Sequence, residues 1–183
     1  MFTGGELVNP EVLLPGDHIA AIGDALPREG CEVLDLRGNI LSPGFIDVHT
    51  HGGDGVDINA ADHAQLAKLS RFFASQGVTG FLASILTDTV DATMTAIDSV
   101  CEFMDNPALG AKCLGIHLEG PFLCMKYKGA MPPELLRSGD AQLFRRYQAR
   151  AQGRVGYMTV APEVEGVLDM LDELRGECVM AIG

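Results

Sequence analysis

The chain has 183 residues, with 25 acidic and 13 basic side chains and a formal net charge of −12. This charge argues against nucleic acid or an anionic membrane surface as a partner, because both attract basic proteins. No apolar stretch approaches the roughly 20 residues that span a bilayer, the first residues lack a secretory signal, and the five scattered cysteines form no C-x-x-C pair. We therefore predict a cytoplasmic protein.

Residues 1–42 are predicted to form a small β-sandwich-like domain. Turn residues such as Pro10, Gly16 and Gly38 separate short β-prone pieces. Short strands interrupted by turn residues at this spacing are typical of a small β-structure. The predicted pieces are 7–8, 12–14, 18–22, 33–36 and 39–41.

Residues 43–183 alternate apolar strands with amphipathic helices, which predicts parallel pairing and an α/β class. The strands are predicted over 45–48, 78–86, 113–123, 155–160 and 178–182, and the helices over 61–76, 91–104, 141–152 and 164–174. The glycine-rich segment 52–55 lacks the spacing of a phosphate loop, which argues against an open doubly wound sheet. A barrel needs eight strands. We therefore expect the first five strands of a (β/α)8, TIM-like barrel.

Polar side chains lie at the carboxyl ends of three of these strands, at His49 and His51, at Glu119 and at Thr159. In a parallel barrel the active site lies at the carboxyl ends of the strands. His49 and His51 are two residues apart, so both side chains point to the same side of a strand. Imidazole nitrogens and a carboxylate oxygen are ligands of zinc. The pattern predicts a divalent metal held by His49, His51 and Glu119, with zinc expected and iron, manganese or cobalt as alternatives.

Each of these residues also has a simpler interpretation. An H-x-H pair can be a surface or structural feature, and Glu119 could instead cap the next segment or pair with Lys126. His117 shares a strand face with Glu119 by the same alternation. We expect His117 to be hydrogen-bonded in the core beside the ligands, and not to be a ligand itself.

Five segments in order resemble N-acetylglucosamine-6-phosphate deacetylases of the amidohydrolase superfamily. The first motif, P-G-F-I-D-x-H-x-H, is shared by many amidohydrolases, whereas H-L-E-G-P-F followed by K-G-A and A-P-E is more particular. The segments are "LSPGFIDVHTHGGDGVD" (41–57), "GVTGFLASILT" (77–87), "LGIHLEGPFL" (114–123), "KGAMPPELL" (128–136) and "TVAPE" (159–163).

The resemblance implies a metal-dependent hydrolysis of the acetamido group of N-acetylglucosamine 6-phosphate, giving glucosamine 6-phosphate and acetate. It implies that Glu119 is the primary metal ligand and that His49 and His51 bind a second metal in members that have the pair. It also implies an amino-sugar phosphate substrate and a homodimer in the complete protein. The residues expected against the sugar are Gly129, Ala130 and Met131.

The sequence departs from the family pattern at Cys124 and Met131, where asparagine and histidine are common, and this leaves the exact sugar open. The remaining ligand histidines, the catalytic aspartate and the phosphate-binding groups of the family are expected beyond Gly183. The chain is therefore expected to be the N-terminal part of such an enzyme, with no catalytic residue of its own and no activity alone.

Two other functions stay open at this stage. Another amidohydrolase, of the dihydroorotase or N-acyl-amino-acid hydrolase type, shares the H-x-H opening, but these enzymes usually need a bridging lysine, and the third strand here ends in Glu119. The second alternative is a non-catalytic half-barrel remnant that acts with a partner.

Overall fold

The computed structural model describes residues 2, 3 and 5–183. The chain forms two compact units, one up to Pro43 and one from Gly44 to Gly183. Among the described residues, no helix is both long enough and apolar enough to cross a membrane. All three candidate metal ligands belong to the second unit.

The first unit contains two short antiparallel hairpins. The pairs are β1 (Phe2–Thr3) with β2 (Glu6–Leu7), and β3 (Glu11–Leu13) with β4 (Ala21–Gly23). The carboxylate of Glu11 accepts a hydrogen bond from the backbone N–H of Leu26 at 2.8 Å and pairs with the guanidinium of Arg28. These contacts tie the segment after β4 back to β3.

The predicted strands over 33–36 and 39–41 are wrong, because the structure has turns and irregular backbone there. The carboxylate of Asp35 accepts a hydrogen bond from the N–H of Arg37 at 2.8 Å. Arg37 and Gly38 both have left-handed backbone, with φ of 49° and 82°, so the chain turns at this point. Leu34 is 82% exposed. A β-prone run forms a strand only where it finds a partner to pack against, and these runs find none among the described residues.

The second unit is built on one five-stranded parallel sheet with the order β11-β10-β9-β8-β5. Its elements in chain order are β5 (Phe45–Thr50), β6 (Gly52–Gly53), β7 (Val56–Asp57), α1 (His63–Ser75), β8 (Val78–Leu86), α2 (Val90–Asp105), β9 (Lys112–Glu119), a 3-10 helix (Pro133–Leu135), α3 (Ala141–Arg150), β10 (Val155–Val160), α4 (Val167–Glu173) and β11 (Val179–Ile182). The predicted α/β alternation and parallel pairing are confirmed.

Two predicted boundaries are wrong for reasons of backbone conformation. The third strand ends at Glu119, because Gly120 has a φ of 84° and leaves the extended conformation. The fourth helix begins at Val167, because Gly166 has a φ of 77° and interrupts the helical geometry before it. A left-handed residue cannot continue either element.

The glycine-rich segment after β5 forms a small antiparallel hairpin of β6 and β7. Asp54 and Gly55 occupy the turn, both with positive φ. An Asp-Gly pair with positive φ at both residues is the preferred two-residue hairpin connection, because its twist matches that of the strands. This hairpin was not predicted, although the Asp-Gly signal is present in the sequence.

The helices pack their apolar stripes on the sheet and bury one continuous core. Leu66 and Leu69 of α1 and Ile97 of α2 are at most 1% exposed, as are Phe81 of β8 and Ile116 of β9. Burial of such a side chain contributes about 1.5–3 kcal/mol. The core fixes the five strands side by side, so their carboxyl ends meet at one edge.

The two outer strands of the sheet each pair on one side only within the described residues. Phe45 of β5 is 72% exposed and Ile182 of β11 is 74% exposed. An exposed apolar strand edge is a surface that can pair with further polypeptide.

Candidate metal centre

His49 and His51 lie at the carboxyl end of β5, on one side of the strand. Their Nε2 atoms are 3.2 Å apart, and they lie 3.0 Å and 2.8 Å from the same oxygen, Oε2 of Glu119. Alternation along a strand explains the shared direction of the two imidazoles. Glu119 belongs to β9, so the contact bridges the intervening strand β8.

The backbone at Glu119 is held from two sides. The hydroxyl of Thr87, just after β8, donates to the carbonyl of Glu119 at 2.8 Å. The N–H of Gly120 donates to the carbonyl of Thr159 at 3.1 Å. A Cβ at Gly120 would lie 2.1 Å from the Thr87 hydroxyl, so only glycine fits this close approach. These contacts fix the direction in which the Glu119 side chain leaves the sheet.

The donor set fits a divalent metal ion. His49, His51 and Glu119 are the group of potential ligands found among the described residues, and their ligand atoms all lie within 4.8 Å of one another. A tetrahedral ion with bonds of about 2.1 Å separates its ligand atoms by roughly 3.4 Å. The present separations of 2.8–3.2 Å are slightly shorter, so the three side chains need to move apart by only a few tenths of an ångström.

The alternative pairing of Glu119 with Lys126 is wrong. The ammonium of Lys126 lies over the ring of Tyr127, 4.8 Å from its centroid. The described contacts of the Glu119 carboxylate are made with the Nε2 atoms of His49 and His51. The two imidazoles are therefore the partners of this carboxylate.

His117 is completely buried beneath the three candidate ligands. Its Nδ1 lies 2.8 Å from the hydroxyl of Ser84, and its Nε2 lies 2.9 Å from the hydroxyl of Thr159. Its ring meets that of His49 edge-on, with centroids 4.6 Å apart. Burial, together with the nearby His49, lowers the pKa of His117 to about 4. The imidazole is therefore neutral near pH 7, and both of its nitrogens are occupied by hydroxyl groups.

A cavity of about 350 Å³ opens beside two of the three candidate ligands. His51 and Glu119 line it, and so do the predicted substrate-binding residues Gly129, Ala130 and Met131. Gly129 and Ala130 are exposed, whereas Met131 is only 5% exposed. The structure thus brings the predicted ligands and the predicted sugar-contacting loop to one cavity.

Further groups shape this cavity. The ammonium of Lys128 donates to the carbonyl of Met131 at 2.7 Å and holds the loop in a tight turn. Cys124, one of the departures from the family pattern, also lines the cavity. A larger cavity of about 530 Å³ at the start of α3 is lined by Arg137, Asp140 and Glu173 among others, and it shares no lining residue with this one.

Two residues of the site were missed by the sequence analysis, Ser84 and Thr87. Both are buried, and both lie on or next to β8 between the strands that carry the ligands. Ser84 contacts Thr50, His51 and His117. A hydroxyl in an otherwise apolar buried strand is the signal that could have identified them, since such a group needs a partner.

Comparison with known proteins gives a consistent result. A family model described as "Amidohydrolase family" matches residues 40–177. The N-acetylglucosamine-6-phosphate deacetylase of Bacillus subtilis (strain 168) is 34% identical over 168 residues, which cover 89% of this chain and 42% of that protein. The N-acetylgalactosamine-6-phosphate deacetylase of Escherichia coli O157:H7 is 31% identical over 167 residues, covering 89% of this chain and 44% of that protein.

A solved structure shares the fold. The crystal structure of N-acetyl-D-glucosamine-6-phosphate deacetylase from Mycobacterium smegmatis superposes with a TM-score of 0.79 at 28% identity, covering 94% of this chain and 44% of that one. This likeness confirms the predicted class, the first half of an α/β barrel. The chain spans less than half the length of the relatives that it matches.

Proposed function

Because the chain belongs to the amidohydrolase family, we propose that the protein hydrolyses the acetamido group of N-acetylglucosamine 6-phosphate to glucosamine 6-phosphate and acetate. The observation that carries this proposal is the convergence of His49, His51 and Glu119 on one point at the carboxyl ends of parallel strands. The names of the relatives, all deacetylases of amino-sugar phosphates, support it.

His49, His51 and Glu119 would hold a divalent metal ion through two Nε2 atoms and one carboxylate oxygen. We propose zinc, because this set of nitrogen and oxygen donors suits it, and iron, manganese or cobalt as alternatives. When bound, the ion supplies Lewis-acid chemistry, since it polarises a carbonyl and lowers the pKa of a water molecule. The carboxylate of Glu119 balances part of the ion's charge, and the neutral imidazole of His117 adds no positive charge beneath it.

The loop after β9 would bind the sugar. Gly129 and Ala130 present backbone and little side chain to the cavity, so a ligand can approach closely. Met131 supplies a buried apolar wall. The contact between the ammonium of Lys128 and the carbonyl of Met131 holds this loop in its turn. The loop therefore positions the acetamido group next to Glu119.

The proposal also covers the catalytic aspartate, the oligomeric state and the cellular location of the protein. We propose that the catalytic aspartate is supplied by sequence C-terminal to Gly183, and that the complete protein is a homodimer, as the family resemblance implies. We also propose a cytoplasmic location. The thiols support this location, because the described cysteines are all free and disulfides are rare in reducing compartments.

The galacto epimer of the substrate is a second candidate. One relative is named as an N-acetylgalactosamine-6-phosphate deacetylase. Cys124 and Met131 line the cavity with sulfur-containing side chains. Loss of a hydrogen-bonding group from a site strongly changes its discrimination between hydroxyl epimers. The two sugar phosphates must therefore be compared directly.

An acetate-release assay tests the proposal on the protein as its native gene produces it. The substrates are the two sugar phosphates and an N-acetyl-amino acid, each followed by acetate release, and dihydroorotate, followed by its ring opening to N-carbamoyl-aspartate because its hydrolysis releases no acetate. We expect zinc-dependent acetate release from an amino-sugar phosphate, its loss after chelation and its recovery when zinc is restored. Preferred turnover of the N-acetyl-amino acid or of dihydroorotate, or the absence of turnover with zinc bound, would contradict the proposal.

The variant Glu119→Gln tests whether the carboxylate of Glu119 holds the metal ion. This change removes the charge of the carboxylate and keeps its size, and we expect it to reduce acetate release by at least about 100-fold, because lost ligands cost more than lost outer partners. Glu163→Gln is the matched control, since Glu163 is exposed and lies outside the cavity. Equal activity of the two variants would show that Glu119 does not hold the ion.

A further inference from the structure

We propose that Ser84 is a positioning residue of the metal centre, which holds the His49–His51 segment and the His117 ring in the arrangement that metal binding needs. This inference rests on the proposed metal-dependent function. Ser84 lies in the middle of the site, on β8 between the two strands that carry the ligands, and it is completely buried. Its hydroxyl and its carbonyl make three separate contacts with residues of β5 and β9 and with His51.

The first contact replaces a missing backbone hydrogen bond. The ladder between β5 and β8 is irregular between Asp47 and Thr50, at the position of the ligand pair. There the backbone N–H of Thr50 donates to the hydroxyl of Ser84 at 2.9 Å. A buried N–H without a partner costs free energy, so this side chain stabilises a backbone that the sheet alone leaves unpaired. Since Thr50 lies between the two histidines, the hydroxyl fixes the direction of both.

The second contact determines which nitrogen of His51 is available. Nδ1 of His51 lies 3.2 Å from the carbonyl of Ser84. A carbonyl only accepts, so Nδ1 carries the proton and donates. Nε2, which faces Glu119 at 2.8 Å, is then the nitrogen that binds an ion. Metal-binding histidines commonly donate their other N–H to a carbonyl in this way, which fixes both tautomer and ring orientation.

The third contact sets the orientation of His117. The hydroxyl of Ser84 accepts from Thr50, so its own O–H is free to donate to Nδ1 of His117 at 2.8 Å. Nε2 of His117 then carries the proton and donates to the hydroxyl of Thr159 at 2.9 Å. The His117 ring packs edge-on against His49. The chain of bonds from Thr50 to Thr159 thus fixes the surface against which His49 rests.

The network is complete within the part of the chain that the structure describes, where no buried side-chain nitrogen or oxygen lacks a hydrogen-bond partner. Removing the Ser84 hydroxyl would leave two groups unpaired, the N–H of Thr50 and Nδ1 of His117. Because both adjoin the ligands, we expect the loss to appear in metal affinity and not only in stability.

Ser70 provides a matched control. It is completely buried like Ser84, and its hydroxyl donates one bond, to the carbonyl of Ala111 at 2.7 Å. It lies on α1 and contacts none of the candidate ligands. Ser70→Ala therefore removes a comparable buried hydroxyl without touching the metal centre.

Zinc affinity tests the inference, measured by competition with a chromophoric chelator on the protein as its native gene produces it. We expect Ser84→Ala to weaken zinc binding by about 10- to 100-fold, the usual effect of losing a group that orients a ligand. Ser70→Ala should stay within about threefold of the wild type. Should Ser84→Ala fail to fold, Ser84→Gly decides, because it also removes the hydroxyl and adds no group that could bind zinc.

Nitrogen-15 NMR of the labelled histidines in the metal-free protein gives a second measurement, which reports directly on the hydrogen bonds of the histidine rings. Ser84→Ala should shift the Nδ1 signal of His117, which loses its partner. The signals of His63 should not move, since its Nε2 contacts the carbonyl of Asn106 on α2's C-terminal side.

The outcomes separate this inference from the proposed function. A wild-type protein that binds no zinc would overturn both. A wild type that binds zinc, with a folded Ser84→Ala or Ser84→Gly variant of equal affinity and unshifted His117 signals, would overturn the role of Ser84 alone.

Discussion

His117 and Glu119 lie two residues apart on one strand, yet their environments give them different chemistry. The side chain of Glu119 is 22% exposed and meets two imidazoles, so it remains available to an ion. His117 is fully buried, with a hydroxyl at each ring nitrogen. Alternation along the strand gives them the same direction, and depth below the edge of the sheet decides which of them can reach a metal.

The lowered pKa of His117 predicts a pH-dependent stability. Burial holds its folded pKa at about 4, whereas the unfolded value is about 6.5. Between these values the unfolded chain binds more protons, so the stability is fully present above pH ~6.5 and is lost as the pH falls toward ~4. The loss attributable to this residue is at most about 3 kcal/mol.

Urea unfolding of the metal-free protein at a series of pH values between about 7 and 4.5 measures this loss. His117→Gln should flatten the dependence between pH ~6.5 and ~5, where few carboxyl groups titrate. His63→Gln is the control for the exchange of histidine for glutamine, because His63 is only partly buried and its Nε2 contacts the carbonyl of Asn106, away from His117. If the free energy of unfolding changes equally with pH in the wild type and in His117→Gln, then His117 is not the source of the pH dependence.

At the scale of elements, side-chain caps define where the helices of the second unit begin. Asp62 and Gln65 form a reciprocal capping box at α1, Thr89 accepts from the N–H of Ala92 at α2, and Asp140 caps α3. Each cap satisfies a backbone N–H that the helix leaves unpaired. The starts of these helices are therefore encoded locally. The start of α4 has no side-chain cap and was the least well predicted.

Asp62→Ala should destabilise the protein by about 1 kcal/mol, because it removes the N-cap and its half of the capping box. The midpoint of urea unfolding measures the change. Asp24→Ala is the matched control, since Asp24 is exposed in the first unit, where the structure describes no helix. We expect Asp24→Ala to alter stability by less than about 0.5 kcal/mol. Similar losses in both variants would point to a general charge effect.

At the scale of the whole molecule, the candidate metal centre joins strands that are not neighbours. Two candidate ligands lie at the end of β5 and one at the end of β9, with β8 between them. The sequence separation is 70 residues between His49 and Glu119. An ion bound here would therefore link the first strand of the sheet to the third, and its binding should stabilise the folded state.

Zinc should raise the free energy of unfolding by about 2.7 kcal/mol when its free concentration is 100 times the dissociation constant. Thermal or urea unfolding with buffered zinc measures this increase. Glu119→Gln should lose most of this zinc-induced increase. Ser70→Ala should show the full increase, starting from a lower free energy of unfolding without zinc. A zinc-induced increase of the same size in Glu119→Gln would show that the ion binds elsewhere.

The sequence by itself determined the features that depend on local order along the chain. Apolar runs predicted the strands at 78–86 and 155–160 with their observed limits. The polar residues at strand ends identified His49, His51 and Glu119, because parallel strands bring their carboxyl ends together whatever the loops between them.

Only the tertiary structure decided the features that depend on what lies opposite a residue. The segments 33–36 and 39–41 are β-prone but remain irregular, because pairing requires a second strand. Lys126 is close to Glu119 in sequence, yet it contacts Tyr127. The partners of the Ser84 hydroxyl cannot be predicted from the sequence, because they lie on the two neighbouring strands. The local pattern of residues determines the direction and the spacing of side chains along a strand. Their hydrogen-bond partners and their burial come from contacts between distant segments.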